Sequence, residues 1–130
     1  MARRYLLLLA VICCLGACNY PLDSNIMCTD SIEPAIEVRV RDAESGLPTA
    51  EGATGYVQDG SYVDSLRAYG FNGQGVQLSF RAANERPGVY TVVVIKSGYQ
   101  TWKKDGVRVS RDECRVQTRS LTADLMPTTK

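Results

Sequence analysis

The chain predicts an all-β fold: one domain, folded as an antiparallel sandwich of seven short strands. Three observations carry that expectation. Beyond the apolar N-terminal run, no window long enough to hold a helix shows a stripe of apolar residues at helical spacing. Apolar and polar residues alternate with a period of two in several short stretches. Turn residues interrupt those stretches about every 8–12 residues, the rhythm of a sandwich.

The elements follow in order. Ile36, Val38 and Val40 alternate with Glu37, Arg39 and Arg41, a strand with one buried face. Asp42-Ala43-Glu44-Ser45-Gly46-Leu47-Pro48 ends it with carboxylate and hydroxyl acceptors, a glycine and a proline stop. A second strand fits Ala53 to Gln58 and closes on Asp59-Gly60, a hairpin dipeptide. A third fits Ser61 to Tyr69, with Tyr62, Asp64 and Leu66 on one face and Val63 on the other. Gly70 to Gly75 holds three glycines and reads as a loop. Val76, Leu78 and Phe80 then alternate with Gln77, Ser79 and Arg81, and Asn84 to Gly88 turns the chain. Val89 to Ile95 is apolar on both faces and rich in β-branched residues, which suits a central strand. Gly98-Tyr99 breaks it. Tyr99–Trp102 and Val107–Val109 flank an expected turn at Lys103-Lys104-Asp105-Gly106. The last strand is expected from Cys114 to Leu125, ending at Pro127. A bulge near Ser120 would shift its inward row from Cys114, Val116 and Thr118 to Leu121, Ala123 and Leu125.

The N-terminus carries an address. Arg3-Arg4 is a short positive region, and the apolar run from Tyr5 to Leu15 is too short for a spanning helix of about 20 residues. Small residues follow, then a cysteine. Leu15-Gly16-Ala17-Cys18 resembles the lipobox of bacterial lipoproteins, which implies cleavage before Cys18 and acylation of its thiol. Cleavage by ordinary signal peptidase, with Cys18 incidental, is the rival reading. Residues 1–17 are then a signal peptide and 18–34 a tether, polar and bearing two prolines. The domain occupies 35–127. Asn19, rather than Asp, follows the cysteine. By the same resemblance this favours the outer membrane of a Gram-negative cell, with the chain held by its lipid and facing the periplasm.

On that reading Cys13 and Cys14 leave with the signal peptide, and Cys18 is consumed by lipid. Of five cysteines, Cys28 and Cys114 remain. An exported protein folds in an oxidising compartment, so a Cys28–Cys114 disulfide is expected. The rival, two free thiols forming a reactive or metal site, leaves tetrahedral coordination half filled.

Composition limits the chemistry. Without Arg3 and Arg4, the 15 basic residues fall to 13, against 14 acidic ones, and no basic block exists. Nucleic-acid binding therefore has no electrostatic support. The chain has no histidine, which removes Ser-His and Cys-His nucleophile pairs and the commonest transition-metal ligand.

Asp42-x-x-Ser45-Gly46-x-Pro48-x-x-x-Gly52-Ala53 resembles the opening of carboxypeptidase regulatory-like domains. Gly88-Val89-Tyr90-Thr91-Val92-Val93-Val94, followed by Gly98-Tyr99, resembles their later signature. The resemblance spans about Ile36 to Leu125. It implies a seven-stranded, transthyretin-like (prealbumin-like) sandwich and a non-catalytic role, because in metallocarboxypeptidases this domain sits beside the catalytic unit. The stretch from Ser61 to Asn84 is longer than the family's usual hairpin, which leaves strand order there open. Two enzymes of related fold fit poorly. Hydroxyisourate hydrolases use histidines and a Tyr-Arg-Gly-Ser tail, and intradiol dioxygenases hold iron with histidines and tyrosines.

Other chemistries are weaker. Asp42, Glu44, Asp59 and Asp64 could supply oxygens to calcium, but their spacing has no EF-hand register and turn roles explain them. Asp112-Glu113 would place its carboxylates on opposite faces of a strand, which does not suit glycosidase chemistry. Lys103-Lys104 reads as a solvated hairpin tip. The sequence therefore predicts no catalytic residue, no metal site and no cofactor. The expected function is a cell-envelope lipoprotein that binds a protein or glycan partner, with Trp102, Phe71 and Tyr62 as the candidate binding surface. The alternatives are an inhibitor of a periplasmic enzyme, or a hydrolase working without histidine. Two convergent carboxylates or a buried lysine in a cleft would favour the hydrolase.

Overall fold

The structure, a computed structural model, describes residues 26–129. These form eight strands: β1 (Pro34–Asp42), β2 (Thr54–Asp59), β3 (Tyr62–Ser65), β4 (Arg67–Phe71), β5 (Gln77–Asn84), β6 (Gly88–Ile95), β7 (Trp102–Val109) and β8 (Arg119–Leu125). They make two four-stranded sheets, ordered β4-β5-β1-β8 and β3-β2-β6-β7. The inner faces share one core. β1 contributes Ile36, Val38 and Val40, β6 contributes Tyr90, Val92 and Val94, and Phe80, Val57, Val107, Ala123 and Leu125 are among the residues that join them. Alternation in β1 is clean: its apolar residues are buried, while Arg39 and Arg41 are exposed.

Four expectations are corrected. The strand count is eight, not seven, because the expected third strand splits at Leu66 and its halves join different sheets. Leu66 is buried and donates its amide N–H to the Gly55 carbonyl at 3.0 Å, so it is the point at which the chain leaves the second sheet for the first. Burial alternates from Tyr62 to Leu66 and lapses beyond it, where Arg67, Ala68 and Tyr69 are all exposed. Second, the sandwich is not wholly antiparallel: β1 and β8 run parallel, from Ile36↔Arg119 to Asp42↔Leu125.

Third, Lys103–Gly106 is no turn. β7 is continuous, and Tyr90 pairs with Val107 while Val92 pairs with Lys104, leaving Asp105 and Gly106 opposite Thr91. That two-against-one count is a β-bulge, accommodated by Gly106 at φ 69°. The Thr91 hydroxyl donates to Asp105 Oδ1 at 2.6 Å and fastens it. Lys103 and Lys104 therefore lie along an exposed edge strand, where charge discourages pairing with another chain.

Fourth, the last strand begins at Arg119, not Cys114. Residues 110–117 fold into a small hairpin with an Arg111↔Val116 bridge, and Asp112 Oδ1 accepts the amides of Cys114 and Arg115 at 2.8 Å each. Those amides are drawn into a turn and are lost to any ladder. The row shift expected near Ser120 is the exit from this hairpin; Ala123 and Leu125 are buried and Leu121 packs against the core, as predicted.

Candidate functional site

The disulfide is present. Cys28, in the irregular segment before β1, is bonded to Cys114 at the tip of the 110–117 hairpin, with Cα atoms 5.2 Å apart. Nearby, the Glu33 carbonyl accepts the Glu85 amide at 2.9 Å and the Glu33 amide donates to Glu85 Oε1 at 2.6 Å. The segment preceding β1 is thus held from two sides. Cys18 lies outside the described residues.

Tyr62, Phe71 and Trp102 do not form one surface. Tyr62 and Trp102 occupy opposite edges of the second sheet, on β3 and β7, and both pack against the core. Phe71 lies on β4, the edge of the other sheet, and is 59% exposed. The Arg86 guanidinium covers the Tyr62 ring at 4.0 Å, and burial followed by the nearby Asp64 charge raises the Tyr62 hydroxyl above the usual phenol range.

Three of the four acids weighed for calcium, Asp42, Asp59 and Asp64, are already engaged. Asp42 Oδ1 accepts the amides of Glu44 and Ser45 and the Ser45 hydroxyl; Asp42 Oδ2 accepts the Tyr99 hydroxyl at 2.8 Å. These bonds, the Ser45 amide foremost, hold the Asp42 carboxyl below the usual carboxylate range. Asp59 pairs with Arg86 at 2.8 Å. Asp64 pairs with Arg67 at 2.6 Å and accepts the Ala83 amide at 2.8 Å. Ala83 needs that anchor, because it and Glu85 hold left-handed backbone angles, φ 56° and 53°, where β5 ends and the chain reverses. Asp112 is a turn-forming residue, its carboxyl lowered by the Arg115 and Cys114 amides. Among the described residues, no group of three or more such side chains is placed to hold a metal ion.

A hollow lies elsewhere, on the outer face of the first sheet. Its volume is about 500 Å³, and its lining includes Glu37, Arg39, Arg41, Tyr69, Ser79 and Thr122. Strand register explains the assembly. Arg39 is paired with Ser79 on one side and Thr122 on the other, and Ser79 is paired with Tyr69. One row across four strands therefore reads Tyr69, Ser79, Arg39, Thr122. Beside it lies the row Arg67, Arg81, Glu37, Ser120.

Four contacts stiffen this face. The Arg81 guanidinium stacks 3.1 Å from the centre of the Tyr69 ring and reaches Glu37 at 3.4 Å. The Ser79 hydroxyl donates to the Tyr69 carbonyl at 2.7 Å. Arg41 is paired with Asp124 at 2.8 Å. A second hollow of about 310 Å³, which includes Arg67, Arg81 and Asn84, adjoins the first and shares Tyr69 with it.

None of these residues was singled out as a site from the sequence, although Arg39, Ser79 and Arg81 were assigned to outward faces. The available signal was arginine at three of the outward positions of two expected strands. Only register brings them together with Tyr69. Neither a protein-family model nor a curated protein matches the chain.

Proposed function

We propose that the protein is a non-catalytic, lipid-anchored module of the bacterial cell envelope that binds a protein or glycan partner on the outer face of its first sheet. The observation that carries this reading is the composition of the larger hollow. It offers arginines, hydroxyls and an aromatic ring drawn from four strands, and its carboxylate, Glu37, is already paired with Arg81. Such a lining suits recognition; acid–base hydrolysis would require a second carboxylate converging on the first. The anchor reading rests on Leu15-Gly16-Ala17-Cys18 placed at the end of an apolar run. We read the sandwich as the transthyretin-like type of carboxypeptidase regulatory-like domains. The Asp42–Tyr99 hydrogen bond supports this, since it joins the two stretches that carry the resemblance.

The test is expression of the full chain in a Gram-negative host. The protein should enter the detergent phase, fractionate with the outer membrane and begin at an acylated Cys18. Cys18→Ser should leave soluble or unprocessed material. An anchored Cys18→Ser variant still cut before residue 18 refutes the lipid reading. Hydrolysis of generic ester, peptide or glycoside substrates by the purified protein refutes the non-catalytic one.

A further inference from the structure

We infer that the two hollows flanking Tyr69 form one binding groove for an anionic saccharide, a sugar chain bearing carboxylate groups, with Arg39 as its principal charge partner. The inference deepens the binding function proposed above and rests on it.

Charge comes first. Of the arginines on this face, Arg41 is neutralised by Asp124, Arg81 by Glu37 and Arg67 by Asp64. Arg39 stands between Glu37 and Arg41 on β1, is exposed, and forms no ion pair among the described residues. The larger hollow thus contains a guanidinium with no carboxylate of its own. A guanidinium presents its donors in a planar fork that matches a carboxylate.

Chemistry along the row comes second. Arg39 is flanked in register by the hydroxyl residues Ser79 and Thr122, and beyond Ser79 stands Tyr69, 45% exposed. A charged fork, a free hydroxyl at Thr122 and an aromatic ring match an acidic sugar, which offers a carboxylate, hydroxyls and an apolar ring face. The Tyr69 ring is already immobilised by Arg81, so little side-chain freedom remains to be lost on binding.

Shape comes third. About 500 Å³ falls within the range of small-ligand sites. The smaller hollow on the other side of Tyr69, with Arg67 and Arg81, extends the groove and favours a chain of at least two sugar units. An extended peptide added by strand pairing would lie beside the edge strands β4 or β8, in the plane of the sheet, and not across the face where Arg39 and Ser79 stand on the interior strands β1 and β5. Nucleic acid is opposed by the near-neutral charge of the chain.

The test is NMR titration of the full chain in detergent micelles with oligogalacturonate, the matched neutral galactose oligomer and a glutamate-rich peptide. Oligogalacturonate should shift the Arg39 side-chain and Tyr69 ring resonances, and raising salt should weaken it. Arg39→Gln should reduce its affinity about ten- to a hundredfold. Arg108→Gln, on the edge strand of the other sheet, should leave it unchanged. Arg39 makes no ion pair, so its variant should keep the thermal midpoint of the parent. Equal binding of the neutral oligomer overturns the charge assignment. Binding of the glutamate-rich peptide alone, dependent on Arg39, overturns the saccharide but leaves the binding module standing. Absence of any shift at this face with oligogalacturonate overturns the groove, whereas failure of the lipid anchor would appear only in the fractionation of Cys18→Ser.

Discussion

At the residue scale, two side chains show how polar groups tie the sandwich. Tyr90 is fully buried at the start of β6. Its hydroxyl donates to the Arg86 carbonyl at 2.7 Å and accepts from Arg86 Nη1 at 3.0 Å. The ring fills the core while its tip closes the turn before the strand, the arrangement of a tyrosine corner. Tyr90→Phe leaves the ring in place but removes the partner of a part-buried carbonyl. It is expected to cost about 1–3 kcal/mol, read as a lower urea midpoint at unchanged slope. Asp42 sets a pH dependence. Its folded carboxyl titrates lower than in the unfolded chain, so its contribution is complete above the unfolded value, about pH 4, and is lost as pH falls through the folded value. Asp105, held by the Thr91 hydroxyl and Lys103, and Asp112 act in the same direction. The thermal midpoint should be flat from pH 7 to pH 5 and fall below pH 4. Asp42→Ala should lower the plateau and make the acid limb shallower; an unchanged limb would remove Asp42 from the account.

At the element scale, the crossing from β3 to β4 depends on Gly55. A Cβ there would fall on the Val93 carbonyl oxygen and 2.8 Å from Leu66 Cδ1. The first neighbour is backbone in the central strand of the second sheet, and it cannot yield without disturbing the β2–β6 pairing. Gly55→Ala should therefore destabilise by about 1–3 kcal/mol or more, measurable by denaturant unfolding. Gly88 is a useful contrast. Its added Cβ would meet the Asp59 carboxylate and, at 3.2 Å, Arg86 Nη1, which are side-chain ends able to move. Gly88→Ala should cost less, and its damage should be confined to the Asp59–Arg86 pair. Equal losses for the two variants would contradict this account of the crossing.

At the scale of the whole molecule, the Cys28–Cys114 bridge ties the segment ahead of β1 to the hairpin that leads into β8, its parallel neighbour. It closes a loop of 86 residues, for which loop-closure entropy gives about 4–5 kcal/mol. Cys28 sits in exposed, irregular chain, and disulfides commonly deliver less than the loop-closure value, so a loss of about 2–4 kcal/mol is expected on reduction. Unfolding with and without dithiothreitol measures it directly. Identical midpoints would mean that the bridge decorates the fold without stabilising it.

Local chemistry was legible in the sequence. The alternation of Ile36–Arg41, the Asp59-Gly60 hairpin, the central character of Val89–Ile95 and the inward row Leu121, Ala123 and Leu125 all depend on side-chain period and turn preference, which neighbouring residues determine. The pairing of Cys28 with Cys114 was legible too, because the signal-peptide and lipid reading of Cys13, Cys14 and Cys18 leaves only these two cysteines. Tertiary structure alone decided three things. The chain leaves one sheet for the other at Leu66, and alternation records which face is buried but not which sheet buries it. Strand direction, parallel for β1 and β8, leaves no trace in local pattern. The hollow around Arg39 and Tyr69 joins residues from β1, β4, β5 and β8. Their proximity is a product of register, and register is set by the packing of the whole core.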